Sequence, residues 1–199
     1  MRRFLLLMSL LLSTAASAAG TILVFGDSLS AGYGIRADAA WPSLLAGRLG
    51  EKRLDYSVAN LSISGETTAG GRSRLEAALG RHRPAVVVIA LGANDGLRGL
   101  PVSEMKDNLA AMIDMSRRTG ARILLVGMRM PPNYGAYARE FQAAYRDVAS
   151  AAKLPLVEFL LAGIAGDARW FQADMLHPTA EAQPRLLDNV WPALAPLLK

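Results

Sequence analysis

The chain has no cysteine and only two histidines, His82 and His177. The first absence removes disulfides, thiolate nucleophiles, cysteine-ligated metals and acylated cysteine together. The second leaves no donor set for zinc, since two histidines far apart in sequence have no thiolate to join them. A site made of carboxylates alone stays open. Long apolar runs are scarce too: beyond the N-terminus none approaches the ~20 residues that span a bilayer. The glycines in FGDSLSAGYG, residues 25–34, match neither G-x-x-x-x-G-K-[ST] nor G-x-G-x-x-G, so phosphate cradling is a weak reading of them.

What is present begins with an export signal. Arg2 and Arg3 form a charged start, residues 4–12 a short apolar stretch, and Ala16-Ser17-Ala18 a small-residue cleavage site. Residues 1–18 read as a signal peptide, against the alternative of a retained anchor, and 19–199 as one mature domain. Periplasmic location is the expectation, with the medium as alternative and no stable membrane insertion after cleavage. Net charge is +5 and falls to +3 without Arg2 and Arg3, leaving 20 basic against 17 acidic side chains. The densest basic cluster, Arg81-His82-Arg83, has no interleaved aromatics. It reads as a solvated face, and no nucleic-acid partner is expected.

Five short apolar runs punctuate the mature part: residues 21–25 (TILVF), 56–59 (YSVA), 85–91 (AVVVIAL), 122–127 (RILLVG) and 155–159 (PLVEF). Most are nearly continuous rather than alternating, as strands covered on both faces are. Between them lie stripes of helical period. Met105, Leu109, Met112 and Ile113 form one, ending at Gly120; Phe141, Ala144, Tyr145, Val148 and Ala152 form another. Trp41-Pro42 suits a helix start, and Thr179 a cap for a last helix interrupted at Pro192. Strand and helix alternating five times predict a parallel sheet with helices on both faces.

Open parallel sheets bind ligands beyond the carboxyl ends of their strands, so the residues that follow each run carry the functional reading. Gly26-Asp27-Ser28 follows the first, Asn60 and residues 62–66 (SISGE) the second, and Gly92-Ala93-Asn94-Asp95 the third. After the fifth comes a long segment, then Asp174-Met175-Leu176-His177-Pro178. A serine nucleophile needs a base. His82 precedes the third strand, at the wrong edge; His177 stands at the right one. Asp174, three residues earlier, is placed to take the Nδ1 proton and present Nε2 outward. In the strand order 2-1-3-4-5, strands 1 and 5 lie roughly 14 Å apart, a gap that residues 160–173 can cross. The Ser28 N–H at a helix start, the Gly65 N–H and the Asn94 amide are candidate oxyanion donors. Taken singly, Gly65 is also a plain turn glycine and Asn94 a plain cap.

FGDSLSAGYG, NLSISGETTAGG, LGANDGLRG and DMLHP resemble, in order and spacing, the four signature blocks of the GDSL, or SGNH, hydrolases. The likeness is strongest to the bacterial periplasmic group with thioesterase and lysophospholipase activities, and spans essentially the whole mature chain. It implies a three-layer, flavodoxin-like α/β fold with a five-stranded parallel sheet, order 2-1-3-4-5. It also implies Ser28 as nucleophile, His177 as base, Asp174 as its orienting acid, and Gly65 with Asn94 as oxyanion donors beside the Ser28 N–H. The expected activity is hydrolysis of acyl esters and thioesters through an acyl-enzyme, without metal or cofactor. Small-molecule or lipid acyl substrates are the expected partners. A carbohydrate O-deacetylase and a non-catalytic binding module are the alternatives. Two departures stand out: Ala93 replaces a glycine common in the third block, and Pro131-Pro132 stiffens a loop that in relatives helps shape the acyl site. In DGLRGLP, residues 95–101, Gly96 and Gly99 suggest a mobile loop whose Leu97 and Leu100 cover the acyl chain, or merely pack it.

A metal-free mechanism is testable directly. Exhaustive dialysis against EDTA leaves ester hydrolysis within about twofold on this reading; activity lost to EDTA and restored by a divalent ion overturns it.

Overall fold

The computed structural model describes residues 20–199. The signal-peptide reading of residues 1–18 therefore lies outside the described residues. Five strands, β1 (Gly20–Gly26), β2 (Tyr56–Asn60), β3 (Val86–Ala90), β4 (Arg122–Val126) and β5 (Leu156–Val157), form one parallel sheet in the order β2-β1-β3-β4-β5. The expected α/β architecture and strand order are both found.

Because side chains alternate along a strand, the continuous apolar runs feed two cores at once. Ile22, Val24, Val86, Val88, Leu124 and Val126 pack with α2 (Trp41–Glu51) and α7 (Gln183–Leu194) on one face. Leu23, Phe25, Val87, Ile89, Ile123 and Leu125 pack on the other with α3 (Thr68–His82), α5 (Val102–Arg118) and α6 (Ala136–Ala152). The stripe from Met105 to Ile113 is the buried face of α5, and that from Phe141 to Val148 the buried face of α6. Two further helices are short: α1 (Ser28–Ala31) follows β1 and α4 (Ala93–Leu97) follows β3.

Four expectations need correction. The fifth run shrinks to the two residues of β5, because the chain folds back where the Leu160 N–H bonds the Gly127 carbonyl. Thr179 makes no side-chain cap: a 3₁₀ turn, Ala180–Ala182, intervenes before α7. Nor does Pro192 interrupt α7, which continues to Leu194. One donor is lost near the end of the helix, and tertiary packing of Leu186, Val190 and Leu194 holds the rest. Residues 160–173 are not a bare loop either, since Leu160, Leu161 and Ile164 are buried in the α2/α7 core.

Glycine is required where β3 passes into α4. Gly92 has φ +120°, and a Cβ there would lie 2.1 Å from the Tyr145 hydroxyl. Gly80, within α3, has nothing within 4 Å of its notional Cβ. Gly92→Ala is thus expected to lower unfolding free energy in urea by about 3 kcal/mol through strain and overpacking. Gly80→Ala is expected to raise it by about 0.5–1 kcal/mol. Equal effects at the two positions contradict this account.

Candidate active site

The first polar turn after β1 is set by backbone requirements. A Cβ at Gly26 would sit 2.9 Å from the Ala90 carbonyl, so β1 can approach β3 this closely only with glycine there. Asp27 then caps α1, its Oδ1 accepting the Leu29 N–H at 3.0 Å, and Gly32 closes that helix in the left-handed conformation at φ 75°. Ser28 is therefore the first residue of α1, directly beyond the carboxyl end of β1. Neighbouring elements hold the turn: Asn60 Nδ2 donates to the Ser30 carbonyl at 2.8 Å, and Trp41 Nε1 donates to Ser30 Oγ at 3.2 Å.

The segment after β5 brings a second group to the same edge. Phe171 and Pro178 form an antiparallel bridge, and between them the chain makes a tight loop with Met175 at φ 58°. Gln172 ties this loop down, donating from Nε2 to the Tyr33 carbonyl at 2.7 Å and to the Pro178 carbonyl at 3.1 Å. Asp174 Oδ1 accepts the N–H groups of Leu176 at 2.9 Å and His177 at 3.0 Å, while Oδ2 faces His177 Nδ1 at 2.7 Å. A carboxylate oxygen only accepts, so Nδ1 carries the proton and Nε2 presents its lone pair. Nε2 lies 2.9 Å from Ser28 Oγ. The Tyr33 ring packs on the imidazole with centroids 4.5 Å apart.

Two carboxyls serve this constellation in opposite electrostatic states. The His177 backbone N–H, then the His177 ring and the Leu176 N–H, lower the Asp174 pKa to about 2, so it stays ionised throughout the working range. Asp27 is 2 % exposed, and burial raises its pKa to about 7 despite the Leu29 N–H and the nearby His177.

Gly65 lies in an exposed turn after β2 with φ +81°, and its carbonyl accepts from Arg98 Nη2 at 2.9 Å. Asn94, second residue of α4, donates from Nδ2 to the Glu66 carbonyl at 3.0 Å. Asp95 beside it is buried and accepts the Thr68 N–H at 2.9 Å, which locks α4 to the start of α3. His82 ends α3 just ahead of β3, at the opposite edge of the sheet.

An open cavity of about 870 Å³ extends from Ser28, Asn94 and His177. Its walls are mostly apolar and come from Leu97, the segment 128–132, and Phe159, Leu161 and Phe171. Pro131 and Pro132 thus stand in the wall. Leu97 lines it as expected; Leu100 does not, and its carbonyl instead accepts the Tyr137 hydroxyl at 2.8 Å. Gly96 is no hinge, because a Cβ there would meet Met130 Sδ at 2.6 Å and Phe141 at 2.8 Å. Gly99, at φ +64° and in open space, turns the chain. Sequence reasoning missed Tyr33, Arg98 and the buried state of Asp27. The signal for Tyr33 was its place between Gly32 and Gly34, two left-handed glycines that bend the chain back over the site.

The chain is similar to known proteins over most of its length. The GDSL-like lipase/acylhydrolase family matches over residues 24–184. Among curated proteins, esterase TesA of Pseudomonas aeruginosa is 49% identical over 192 residues, 96% of each chain. Thioesterase 1/protease 1/lysophospholipase L1 of Escherichia coli K12 is 40% identical over 189 residues, 94% of this chain and 89% of that one. Among solved structures, the esterase EstA of Pseudoalteromonas sp., inhibited by monoethylphosphonate, superposes with TM-score 0.85 at 38% identity, covering 90% of this chain and 98% of that one. The chain belongs to the GDSL-like lipase/acylhydrolase family and is an acyl hydrolase.

The raised Asp27 pKa carries a stability prediction. Between about 3.8, the unperturbed value, and about 7, the folded state binds more protons than the unfolded, so Asp27's contribution falls as pH rises through this window. Asp27→Asn keeps an acceptor for Leu29 and removes that loss. The Tm of Asp27→Asn minus that of the parent is expected to grow between pH 5 and pH 8, read by calorimetry. A difference independent of pH contradicts the assignment.

Proposed function

We propose that the protein hydrolyses acyl esters and thioesters through a Ser28 acyl-enzyme. One observation carries this reading: Ser28 Oγ sits 2.9 Å from His177 Nε2, with Asp174 2.7 Å from Nδ1, at one end of an apolar cavity of about 870 Å³. In the first step Ser28 Oγ attacks the acyl carbon while its proton passes to His177 Nε2. The imidazolium that forms is stabilised by Asp174, and it then protonates the departing alkoxide or thiolate. Water, deprotonated by His177, attacks the acyl-enzyme in the second step, and Ser28 leaves with that proton. The negative oxygen of each tetrahedral intermediate is assigned to the N–H groups of Ser28 and Gly65 and the amide of Asn94.

The cavity's size and apolar walls support acyl chains longer than acetyl, and so favour the esterase and thioesterase reading over an O-deacetylase. Small acyl substrates suit the family; lysophospholipids are the lipid class that the Escherichia coli relative's name suggests. No helix among the described residues is long and apolar enough to cross a membrane. We infer an exported, periplasmic enzyme from residues 1–18, with N-terminal sequencing of the mature protein as the check.

Ser28→Ala and His177→Ala are each expected to lower kcat on an aryl ester by roughly 10⁴ to 10⁶, and the double variant by little more. A fluorophosphonate should label the parent at Ser28 and leave Ser28→Ala unlabelled; an unlabelled parent favours a binding module. Asn94→Ala should cost about 10² to 10³ in kcat with KM little changed. For the cavity, kcat/KM is expected to climb with acyl length, each buried methylene contributing up to roughly 0.8 kcal/mol. Leu97→Ala should flatten that climb and Leu100→Ala should not. Equal loss on acetyl and long-chain esters with Leu97→Ala removes the leucine from specificity.

A further inference from the structure

We propose that Arg98 is a positioning residue for the oxyanion hole, clamping the Gly65 turn to the helix that carries Asn94. The proposal rests on the oxyanion roles of Gly65 and Asn94 given above. Helix α4 has five residues, Ala93–Leu97, with Asn94 in its first turn and Arg98 as its C-terminal cap. The backbone N–H of Arg98 bonds the Asn94 carbonyl at 3.2 Å, so the two side chains leave the same helical turn. Both reach the same turn. Asn94 Nδ2 donates to the Glu66 carbonyl at 3.0 Å, and Arg98 Nη2 donates to the Gly65 carbonyl at 2.9 Å.

Consecutive peptides of the turn are thus held from α4 by different donors. The rest of the turn explains why the second is needed. Glu66 is anchored by its ion pair with Arg74, whose guanidinium lies over the Phe25 ring, 3.9 Å from the centroid. Ile63 is anchored by its N–H on the Gly26 carbonyl at 3.0 Å. Gly65 lies between these anchors. It is exposed, has φ +81°, and meets nothing within 4 Å of its notional Cβ except Arg98 Nη2 at 3.9 Å. The turn closes on itself through the Glu66 N–H on the Ile63 carbonyl at 3.2 Å, and Arg98 holds the same Gly65–Glu66 peptide a second time, from α4, at a glycine whose backbone has the widest choice of conformations. Among the described residues Arg98 forms no ion pair, and its side-chain hydrogen bond is the one to Gly65.

The test uses a short neutral aryl ester, which offers a guanidinium no charge to bind. Arg98→Ala is expected to lower kcat about tenfold with KM within about twofold, since a displaced donor weakens transition-state binding alone. Arg98→Lys, which keeps one donor at similar reach, should recover part of the loss. In a Gly65→Ala background, where the turn is already strained, Arg98→Ala should add less than about twofold. Fluorophosphonate should still label Ser28 to completion in Arg98→Ala, only more slowly; failure to label either parent or variant strikes the hydrolase reading rather than the clamp. Unchanged kcat, a raised KM with kcat held, or the same tenfold loss in both backgrounds overturns the clamp.

Discussion

The contact between Ser28 Oγ and His177 Nε2 joins residues 149 positions apart, and much of the fold is what that 2.9 Å distance requires. Neither partner can adjust freely. Ser28 is fixed by the close β1–β3 approach at Gly26, by the Asp27 cap and by the bonds that Asn60 and Trp41 make to Ser30. His177 is fixed by the Phe171–Pro178 bridge, the Asx turn of Asp174 and the reach of Gln172 across to the Tyr33 carbonyl. That last bond links the two halves of the site directly. Reacting groups held to within a fraction of an ångström are what general-base catalysis at a serine demands.

Packing decides where such precision is affordable. β1, β3 and β4 present both faces to core, which anchors their carboxyl ends and the polar turns that follow them. Asp95, buried against Thr68, carries the same rigidity to α4, a helix too short to be stable by its own hydrogen bonds.

Legibility in the sequence followed the same division. β1, β3 and β4 were readable because a strand buried on both faces is a continuous apolar run. The convergence of Ser28, Asp174 and His177 was readable because topology confines ligand-facing residues to one edge, and His82 stands at the other. β5 was overread, since a two-residue edge pair and a longer apolar run look alike until the turn at Gly127 is known. Leu100 was misplaced for a related reason. Helix α4 ends at Leu97 and Gly99 turns the chain, so the two leucines do not share a face. Gly96 read as freedom where it is crowding against Met130 and Phe141. Arg98 was invisible because its partner is a backbone carbonyl, and carbonyls have no sequence signature.

The placement of charge around the cavity ties these parts to the chemistry. Among the described residues its lining holds His177, Arg129 and Arg139 as the only ionisable side chains, and no carboxylate. Arg129 lies over the Phe159 ring, 4.9 Å from the centroid, which keeps its stem along an apolar wall. Both acids of the site stand behind the reacting atoms rather than among them. Asp174 meets the imidazole on the side away from Ser28, and Asp27 caps the helix from below, buried and largely protonated under mildly acidic conditions. The cavity beyond Ser28 therefore carries two guanidinium groups and, among the described residues, no carboxylate. An ionised carboxylate in that wall would oppose the oxyanion through a medium of low dielectric, where a unit charge acts far more strongly than in water. Of the two carboxyls near Ser28, only Asp174 is held ionised, and it lies on the far side of the imidazole; burial favours the neutral form of Asp27.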